Sequence, residues 1–521
     1  MLLIRGFNFK VDTDITARAY GKLPRAFPEL DRLPTEQRTR TRVAFLSGIK
    51  SVSIDCCIDV CVAFTGEYEP FDTCPQCGKD RYEPDPQNPD RVRPRKTFKY
   101  IPIATRLVNM YRDPEMAEKL SYRHKFHSSD GIFRDVFNGA LYERLRSRRV
   151  WVRGERLEHK YFDMPTDIAL GLSTDGFGPF KSRKQTCWPL ILFNYNLPPS
   201  IRFHLEHVMC LGVIPGPTQP KELGTFLKPL IDELETLAEG VSAYDGINKR
   251  PFCLRAYLIA CFGDMPAVAK LMCMKGHGSK VPCRACRIVG VLGTKTKYYA
   301  PLSRPFANNP EPYNPLKLPL RTHQEYIRQA TDVEFSHVDA EEDRRATRFG
   351  INGLSPLAHL SSIEFPGSFP HDFMHLMFEN IIPTLVALWT RSNKYSKFGN
   401  GNEEYLLDNA DWEDIGSACL ESGNTIPSAF GCRVPNLADT GYQVSAEARM
   451  LFTTLLAPTL LHRKFKRPKY HSHFMQLVRL INLCLDFEIT VEKIGQIRDG
   501  FAEWVQEYER YVHYSFVYVV N

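Results

Sequence analysis

Two short apolar runs, each closed by an aspartate and a turn, mark the centre of the chain. The first run, Ile168 to Leu172, is closed by Asp175, and a second run over residues 254–262 is closed by Asp264. Runs this short and this apolar are typical of strands buried on both faces of a mixed or parallel sheet. An aspartate just past the end of such a strand projects from the sheet edge. If the two strands are neighbours, their carboxylates face one another.

The segment between the two aspartates predicts two more strands and a helix. The strands are expected at Cys187 to Tyr195 and Ile201 to Val213, and the helix at Lys221 to Glu239. The apolar positions of that helix fall three and four residues apart, and Pro229 inside it predicts a kink. Hairpins can join the first three strands, while the helix is the crossover that a parallel fourth strand needs. This order predicts an α/β fold with a ribonuclease H-like mixed sheet.

Paired carboxylates in this position suggest metal-dependent chemistry. Like charges that close cost free energy unless a cation lies between them. Two carboxylates that share hard divalent ions, Mg²⁺ or Mn²⁺, are the usual basis of phosphodiester chemistry. The other interpretation is that Asp175 and Asp264 are turn residues, since Asp-Gly is a common turn signal.

A cysteine cluster near the N-terminus predicts a structural zinc module. Cys57, Cys61, Cys74 and Cys77 have the spacing C-x3-C-x12-C-x2-C. Two such pairs on tight turns can place four thiolates tetrahedrally around Zn²⁺. Four thiolates leave no open position, which argues against catalysis at the metal. Redox chemistry by Cys74 and Cys77 is the weaker alternative, because no thioredoxin-like context surrounds them.

A second cluster follows Asp264. Cys273, His277, Cys283 and Cys286 have the spacing C-x3-H-x5-C-x2-C, which fits a compact zinc knuckle. The alternative is a cysteine-rich loop without metal, and Cys273 also fits the apolar face of its own helix. His375, far along the chain, is a further candidate ligand that would tie a distant helix to this loop.

Polar residues recur on one face of an otherwise apolar helix near residue 375. Asp372, His375, Leu376 and Glu379 lie at i, i+3, i+4 and i+7, so a regular helix presents them together. Such polar groups indicate a site. Asp372 also fits a purely electrostatic role at the helix N-terminus.

Composition and charge restrict the class of protein only loosely. The chain has 521 residues and a net charge of +7, which is mild and permits a nucleic-acid partner without demanding one. No apolar run reaches membrane-spanning length, and the N-terminal run is too short for a signal peptide. An intracellular protein is expected, with cysteines as thiols or metal ligands. The densest basic cluster fits DNA phosphates, nuclear import or a solvated charge run, and comprises Arg144, Arg146, Arg148 and Arg149.

The pattern divides the chain into six expected regions. These are an N-terminal helical segment (1–50), a zinc module with a basic linker (51–100), a helical segment (101–160), a ribonuclease H-like core with the Cys/His cluster (161–290), an irregular insertion (291–350) and a helical region (351–521). The last helix passes directly into apolar residues, so we expect a truncated chain.

Several strings, in this order, resemble the transposases of CACTA (En/Spm-like) DNA transposons. They are CPQCGKDRY, LSTDGFGPF, WPLILFNYNLPP, IPGPTQPKELGTFLKPLIDEL, GDMPAVAKL, GHGSKVPCRAC and HDFMHLMFEN. The resemblance covers most of residues 40–400. It implies a nuclear, ribonuclease H-like nuclease with three acids and two divalent metals, which cuts transposon ends and joins them to target DNA. A homo-oligomer is a further expectation.

The resemblance assigns the first two acids to Asp175 and Asp264 and leaves the third open. Glu379 and Asp372 both lie in a matching helix. Related transposases often insert a long helical segment before the last acid, which would place it beyond residue 521. The competing function is a non-enzymatic, zinc-containing DNA-binding protein derived from a transposon. A two-carboxylate glycosidase would need acids without metals, and the zinc clusters and missing sugar-binding aromatics argue against it.

Overall fold

The computed structural model describes residues 2–178, 185–292, 298–303, 311–392, 401–439, 441 and 443–519. It is a mixed α/β structure with small sheets and many helices. The α-helices are α1 Leu2–Asp12, α2 Ala17–Tyr20, α3 Leu23–Ala26, α4 Glu36–Ser47, α5 Ala104–Arg112, α6 Pro114–Leu120, α7 Tyr122–Lys125, α8 Ala140–Ser147, α9 Leu223–Glu239, α10 Met265–Leu271, α11 His323–Glu334, α12 Asp339–Phe349, α13 Ile382–Trp389, α14 Asn409–Ser422, α15 Ala446–Leu451, α16 Ala457–Leu460, α17 Pro468–Leu485 and α18 Val491–Val519. Two π-helical segments cover His375–Ile381 and Phe452–Leu456.

The strands form one four-stranded sheet and six two-stranded sheets among the described residues. The strands are β1 Val52–Asp55, β2 Tyr82–Asp85, β3 Asn88–Pro94, β4 Thr97–Tyr100, β5 Ile132–Phe133, β6 Arg149–Val152, β7 Glu155–Lys160, β8 Ile168–Thr174, β9 Cys187–Asn194, β10 Met209–Pro215, β11 Val241–Asp245, β12 Arg250–Leu254, β13 Ala256–Phe262, β14 Val291–Leu292, β15 Tyr298–Tyr299 and β16 Ile489–Thr490. The chain divides into two compact units, Met1–Lys125 with Arg149–Leu258, and Phe126–Arg148 with Ile259–Asn521.

The four-stranded sheet has the order β10-β9-β8-β13. Strands β8, β9 and β10 are joined antiparallel, as the predicted hairpins require. The backbone N–H of Ile168, the first residue of β8, donates to the carbonyl of Arg255, just before β13, at 2.9 Å. The two strands therefore begin at the same end of the sheet. The division between the two units falls inside β13.

Helix α9 forms as predicted and supplies much of the apolar core of the first unit. Its buried side chains repeat every three or four residues, and Pro229 lies within it. The ring of Phe226 meets that of Phe98 on β4 edge to face, with centroids 5.7 Å apart. Burying each such side chain contributes about 1.5–3 kcal/mol to stability.

Strand β10 approaches β4 so closely that only glycine fits at one position. Gly212 has φ +155°, and a Cβ built on it would lie 2.2 Å from the carbonyl oxygen of Lys99. The next contact along this seam is a 2.7 Å hydrogen bond from the Ile101 N–H to the Leu211 carbonyl. Any larger residue at 212 would force the two strands apart.

The prediction of one strand from Ile201 to Val213 is wrong over its first half. Residues 201–207 form turns, and β10 begins at Met209. Two consecutive prolines precede the segment, and its backbone closes local bonds such as His204 N–H to Ile201 carbonyl at 3.0 Å. These turns leave Leu205 86% exposed. Local turn bonds therefore prevail over the apolar pattern.

The apolar run over residues 254–262 is not a single strand. It breaks at Arg255, and Leu254 belongs to β12, which pairs antiparallel with β11 in a separate hairpin. The predicted order of three strands, a helix and a fourth strand therefore omits a hairpin between α9 and β13. Apolar character does not show which residues pair with which neighbouring strand, so the prediction carried one strand through Arg255.

The predicted linker at residues 83–100 also contains regular structure. It forms the β2–β3 hairpin and strand β4, which pairs with β1. Pro84 lies opposite Val92, and Pro94 lies opposite Tyr82, across this hairpin. Proline is tolerated here because a two-stranded hairpin consists only of edges.

The second unit is mainly helical among its described residues. Helices α17 and α18 pack together, with the rings of His473 and Trp504 stacked at 4.7 Å. Trp504 Nε1 donates to the His473 carbonyl at 3.1 Å. Trp389 packs edge to face on Phe474 in the same apolar cluster. The sequence pattern predicts one helix from Tyr442 to Leu461. The structure has α15, a π-helical segment and α16 there, and Tyr442 lies outside the described residues.

The region expected to be an irregular insertion, 291–350, contains helices α11 and α12. Thr322 caps α11 by accepting a hydrogen bond from the Glu325 N–H at 3.3 Å, and Gly350 ends α12 in the left-handed conformation. Both helices are largely polar, so the apolar period that announces a helix is weak. The capping residues Thr322 and Gly350 indicate these helices better than the apolar period does.

None of the helices in the described ranges has the length and apolarity needed to cross a membrane.

Candidate functional site

The four predicted cysteines converge at one point. The sulfur atoms of Cys57, Cys61, Cys74 and Cys77 all lie within 4.8 Å of one another. A tetrahedral Zn²⁺ with bonds of about 2.3 Å separates its sulfur ligands by about 3.8 Å, so the group fits zinc. Cys56, the adjacent thiol, does not belong to it, and burial raises its pKa to about 12. The structure therefore gathers Cys57, and not the adjacent Cys56, with the other three thiols.

Tight turns shape each half of this cysteine group. Val60 adopts φ +61° between the first two cysteines, and Gly78 adopts φ +69° after the last. The Asp59 N–H points to the Cys57 sulfur at 3.4 Å. Burial, the largest effect, raises the pKa of Cys74 to about 11. Three buried thiols and the more exposed Cys77 lie this close together, which favours a metal, because binding converts them to thiolates that share one cation.

The cysteine loop is attached to the start of helix α9. The Glu222 N–H donates to the Cys61 carbonyl at 2.9 Å, and the Ala63 N–H donates to Thr225 Oγ1 at 2.8 Å. The Thr65 hydroxyl donates to the Thr225 carbonyl at 2.6 Å. A metal at the cysteines would therefore hold the start of a helix whose buried side chains belong to the first unit's apolar core. Sequence reasoning missed Thr225, since only the fold brings it beside the loop.

Asp175 and Asp264 follow the ends of neighbouring strands, and each is half-buried. Asp175 Oδ1 accepts the Gly176 N–H at 2.6 Å. Asp264 Oδ1 caps α10 by accepting the Ala267 N–H at 2.7 Å, with Pro266 in the first turn. Each carboxylate thus uses one oxygen to bind the local backbone. This is the role expected if the two aspartates are only turn or cap residues. The sharing of a metal by the two residues stays a prediction.

The polar face at residues 372–379 is real, although the helix is not a regular α-helix. His375 Nδ1 lies 2.9 Å from Asp372 Oδ2, and His375 Nε2 lies 3.8 Å from Glu379 Oε2. The backbone from His375 to Ile381 is π-helical, with an N-cap residue of Met374. Segments of π-helix occur frequently at functional sites. Asp372 also accepts the His375 N–H at 3.1 Å, so it stabilises the helix start as well.

The second predicted cluster is only partly assembled. Cys283 and Cys286 form a knuckle, with the Cys286 N–H pointing to the Cys283 sulfur at 3.3 Å. A metal site needs at least three ligand atoms close together. Among the described residues, three or more such atoms lie within 4.8 Å of one another only in the N-terminal cysteine group, so neither Cys273, His277 nor His375 completes a site with this knuckle. The second zinc site therefore stays a prediction.

An arginine inside the knuckle connects it to the distant polar helix. This is the connection that was predicted to come from a shared metal ion. The Arg284 guanidinium donates to the carbonyl of Pro370, two residues before Asp372, at 2.6 Å. Arg321 Nε donates to the Cys283 carbonyl at 3.0 Å and Arg321 Nη2 to the Phe349 carbonyl at 2.8 Å. The knuckle is thus linked to the start of the polar helix by hydrogen bonds. Arg284 was overlooked because its neighbours in sequence are the more conspicuous cysteines.

The basic cluster proposed for DNA contacts is engaged within the protein. Arg144 forms an ion pair with Glu364 at 2.6 Å, and Arg146 lies 3.8 Å from Glu143. Arg148 donates to the Ser361 carbonyl at 3.4 Å, and Arg149 donates to the Glu158 carbonyl. These contacts favour a structural role, and DNA binding by the four arginines stays a prediction.

Comparison with known proteins gives one result for the segment that carries the sheet. Residues 144–299 match the model described as Transposase family tnp2. No curated protein matches the chain. The matched segment includes β8 to β13, both aspartates and the Cys283–Cys286 knuckle. The match supports a transposase-type function and, with it, DNA as the partner.

Proposed function

We propose that this protein is a DNA transposase of the CACTA (En/Spm-like) type, acting in the nucleus. The observation that carries the proposal is the transposase family match over residues 144–299, which contains both aspartates at the ends of neighbouring strands. The resemblance of the quoted strings supports the CACTA assignment. The strand order β10-β9-β8-β13, with β8 and β13 starting at the same end, supports a ribonuclease H-like core.

Under this proposal, Asp175, Asp264 and a third acid hold divalent Mg²⁺ or Mn²⁺. Half-buried carboxylate oxygens are the donors that these hard cations prefer. The bound ions would stabilise charge on the scissile phosphodiester and make a bound water or DNA 3′-hydroxyl a better nucleophile. The chain's own part is to position the carboxylates. The backbone N–H of Gly176 holds one oxygen of Asp175, and the backbone N–H of Ala267 holds one oxygen of Asp264.

Glu379 is our choice for the third acid among the described residues. It lies on the π-helical segment, with its carboxylate 3.8 Å from His375 Nε2. Its side chain is 43% exposed, whereas that of Asp372 is 26% exposed and has one oxygen 2.9 Å from His375 Nδ1. Glu379 is thus the more available of the two carboxylates.

The second candidate function is a non-enzymatic, zinc-containing DNA-binding protein derived from a transposon. One observation favours it: Asp175 and Asp264 both serve the local backbone, as aspartates without catalytic roles commonly do. In that case the zinc module and basic surfaces would bind DNA, and the sheet would be only a scaffold.

A cleavage assay separates the two functions. The purified chain is incubated with Mg²⁺ and a plasmid carrying the DNA that flanks its own coding sequence, since transposon ends border the transposase gene. The transposase proposal expects metal-dependent nicks at defined positions that disappear in Asp175→Ala. Binding of this DNA without any cleavage by the wild-type chain, in either Mg²⁺ or Mn²⁺, would favour the non-enzymatic function. Sedimentation of the same preparation measures the expected homo-oligomer.

A further inference from the structure

A basic cleft opens along one face of helix α12. Its volume is about 570 Å³, and it is lined by Lys280, Ala340, Asp343, Arg344, Thr347 and Arg348. The five helical residues are spaced at i, i+3, i+4, i+7 and i+8, which places them on one face. Lys280 comes from the loop before the Cys283–Cys286 knuckle. Three cations from two distant segments thus meet around one concavity.

The backbone fixes Lys280 beside the helix. Gly350 ends α12 with φ +71°, and a Cβ built on it would lie 2.1 Å from the Val281 carbonyl oxygen. The Lys275 N–H donates to the Gly350 carbonyl at 3.0 Å, and the Gly290 N–H donates to the Lys280 carbonyl at 2.8 Å. Only glycine permits this close approach, so the cleft depends on a particular backbone geometry.

The cleft carries excess positive charge. In the part of the chain that the structure describes, Lys280 and Arg348 form no ion pair with a carboxylate. Arg344 lies 3.6 Å from Glu341, but its side chain is 77% exposed and Glu341 also pairs with Arg345 at 2.6 Å. The one acid lining the cleft, Asp343, is paired with Lys275 at 2.9 Å. An anion entering the cleft would therefore meet three cations.

We propose that this cleft binds the phosphate backbone of duplex DNA. The inference rests on the proposed function and adds a surface for its substrate. Guanidinium groups bind phosphate oxygens through paired N–H donors, and a lysine ammonium adds a compact positive charge. Cations that contact only phosphates hold DNA without reading its sequence. The cleft is thus a positioning surface, and recognition of the transposon ends lies elsewhere.

A competing explanation needs no ligand. Arg348 lies in the last turn of α12, where a cation stabilises the helix through its dipole, and Arg344 lies 3.6 Å from Glu341 on the same helix. That explanation covers the two arginines but assigns nothing to Lys280, which belongs to a different segment. Lys280 therefore distinguishes a binding surface from a stabilised helix end.

The test measures how DNA affinity depends on salt. The full chain and a variant with Lys280→Gln, Arg344→Gln and Arg348→Gln bind a labelled duplex of arbitrary sequence, followed by fluorescence anisotropy between about 50 and 200 mM salt. Each phosphate contact contributes about 0.9 to the slope of log affinity against log salt, so the triple variant should lose about 2.7. Lys280→Gln by itself should lose about 0.9. The loss should be equal for unrelated DNA sequences.

A control variant removes the same charge from other elements of the same unit. It carries Lys317→Gln, Arg328→Gln and Arg479→Gln, all exposed. Equal slopes for the cleft and control variants would overturn the inference, provided that both have the melting temperature of the wild type. If the cleft variant has a lower melting temperature, the single variant Lys280→Gln serves as the test instead. An unchanged salt dependence of DNA affinity in Lys280→Gln would also overturn the inference.

The remaining outcomes identify other ligands. A changed slope with duplex RNA but not with DNA, or retention of inorganic phosphate by the cleft with an unchanged DNA slope, would each overturn the assignment to DNA. A wild-type chain that binds no duplex at all would contradict the proposed function itself. A wild-type chain that binds DNA while the cleft variant behaves like the control would contradict only the cleft.

Discussion

The sulfur atoms of Cys57 and Cys77 lie 3.5 Å apart, although 20 positions separate these residues in the chain. With Cys61 and Cys74 they form a site that fits a tetrahedral Zn²⁺. The loop that carries Cys61 is bonded to the start of helix α9, which packs on the first unit's core. The cysteine group is therefore connected to a helix that supplies part of the first unit's apolar core.

We predict that the cysteine group holds one zinc ion and that its loss loosens helix α9. Cys57→Ser should abolish zinc retention by the purified protein, because three thiolates do not complete the site, and should lower the melting temperature. Metal analysis and thermal unfolding measure both effects. Cys56→Ser is the matched control, since Cys56 is equally buried but lies outside the group. Wild-type protein without zinc, or equal zinc loss in both variants, would contradict the prediction.

The two roles of Asp264 can be separated by its replacements. Asp264→Asn keeps a side chain that caps α10, whereas Asp264→Ala removes the cap and should cost about 1 kcal/mol of stability. If the carboxylate holds a divalent ion, both variants should lose Mg²⁺-dependent cleavage, because asparagine lacks the charge. Denaturant unfolding and the cleavage assay are compared for the pair. Full cleavage by Asp264→Asn would show that Asp264 only caps the helix.

The third acid can be tested at the π-helical segment. Glu379→Gln should reduce cleavage to background while changing stability by less than about 0.5 kcal/mol, since it is a partly exposed residue with one distant contact. Glu421→Gln, an exposed carboxylate on α14, is the control and should cleave normally. Asp372→Asn should chiefly weaken the helix start. Unchanged cleavage by Glu379→Gln would show that another residue supplies the third acid.

Stability should depend on pH through Asp167, a fully buried residue at the start of β8. Burial raises the pKa of its carboxyl from 3.8 to about 6. The folded state therefore keeps a proton that the unfolded chain releases at lower pH. The stabilising contribution is complete below about pH 4 and is lost as the pH rises through about 6, which amounts to at most about 3 kcal/mol.

Asp167→Asn removes this titration. The variant should be more stable than the wild type at pH 7, by about 1–3 kcal/mol, and nearly equal to it at pH 4. Its amide oxygen can still accept the Met164 N–H that Asp167 Oδ2 accepts at 3.1 Å. Asp163→Asn, at an exposed neighbouring carboxylate, is the control. Denaturant unfolding across this pH range measures the difference, and a pH dependence that survives in Asp167→Asn would contradict the assignment.

The sequence by itself determined the elements and sites whose signals are local. Strands β8 and β9 and helix α9 follow from short apolar runs and a three-to-four-residue period, because burial on one or two faces imposes those periods. The cysteine group follows from its spacing, since two tight turns can present four thiolates whatever the surrounding fold. The transposase resemblance likewise needed only strings of residues in order.

Only the tertiary structure decided features that depend on pairing between distant segments. The break between β12 and β13 falls at Arg255, the one charged residue in the run over residues 254–262, and it follows from the different partner strands that β12 and β13 bind. The link from Arg284 to Pro370 joins residues 86 positions apart. The cleft requires Lys280 to approach α12 through Gly350. Hydrogen bonds and close approaches of this kind are set by the three-dimensional packing of the backbone, which leaves no period or spacing in the sequence.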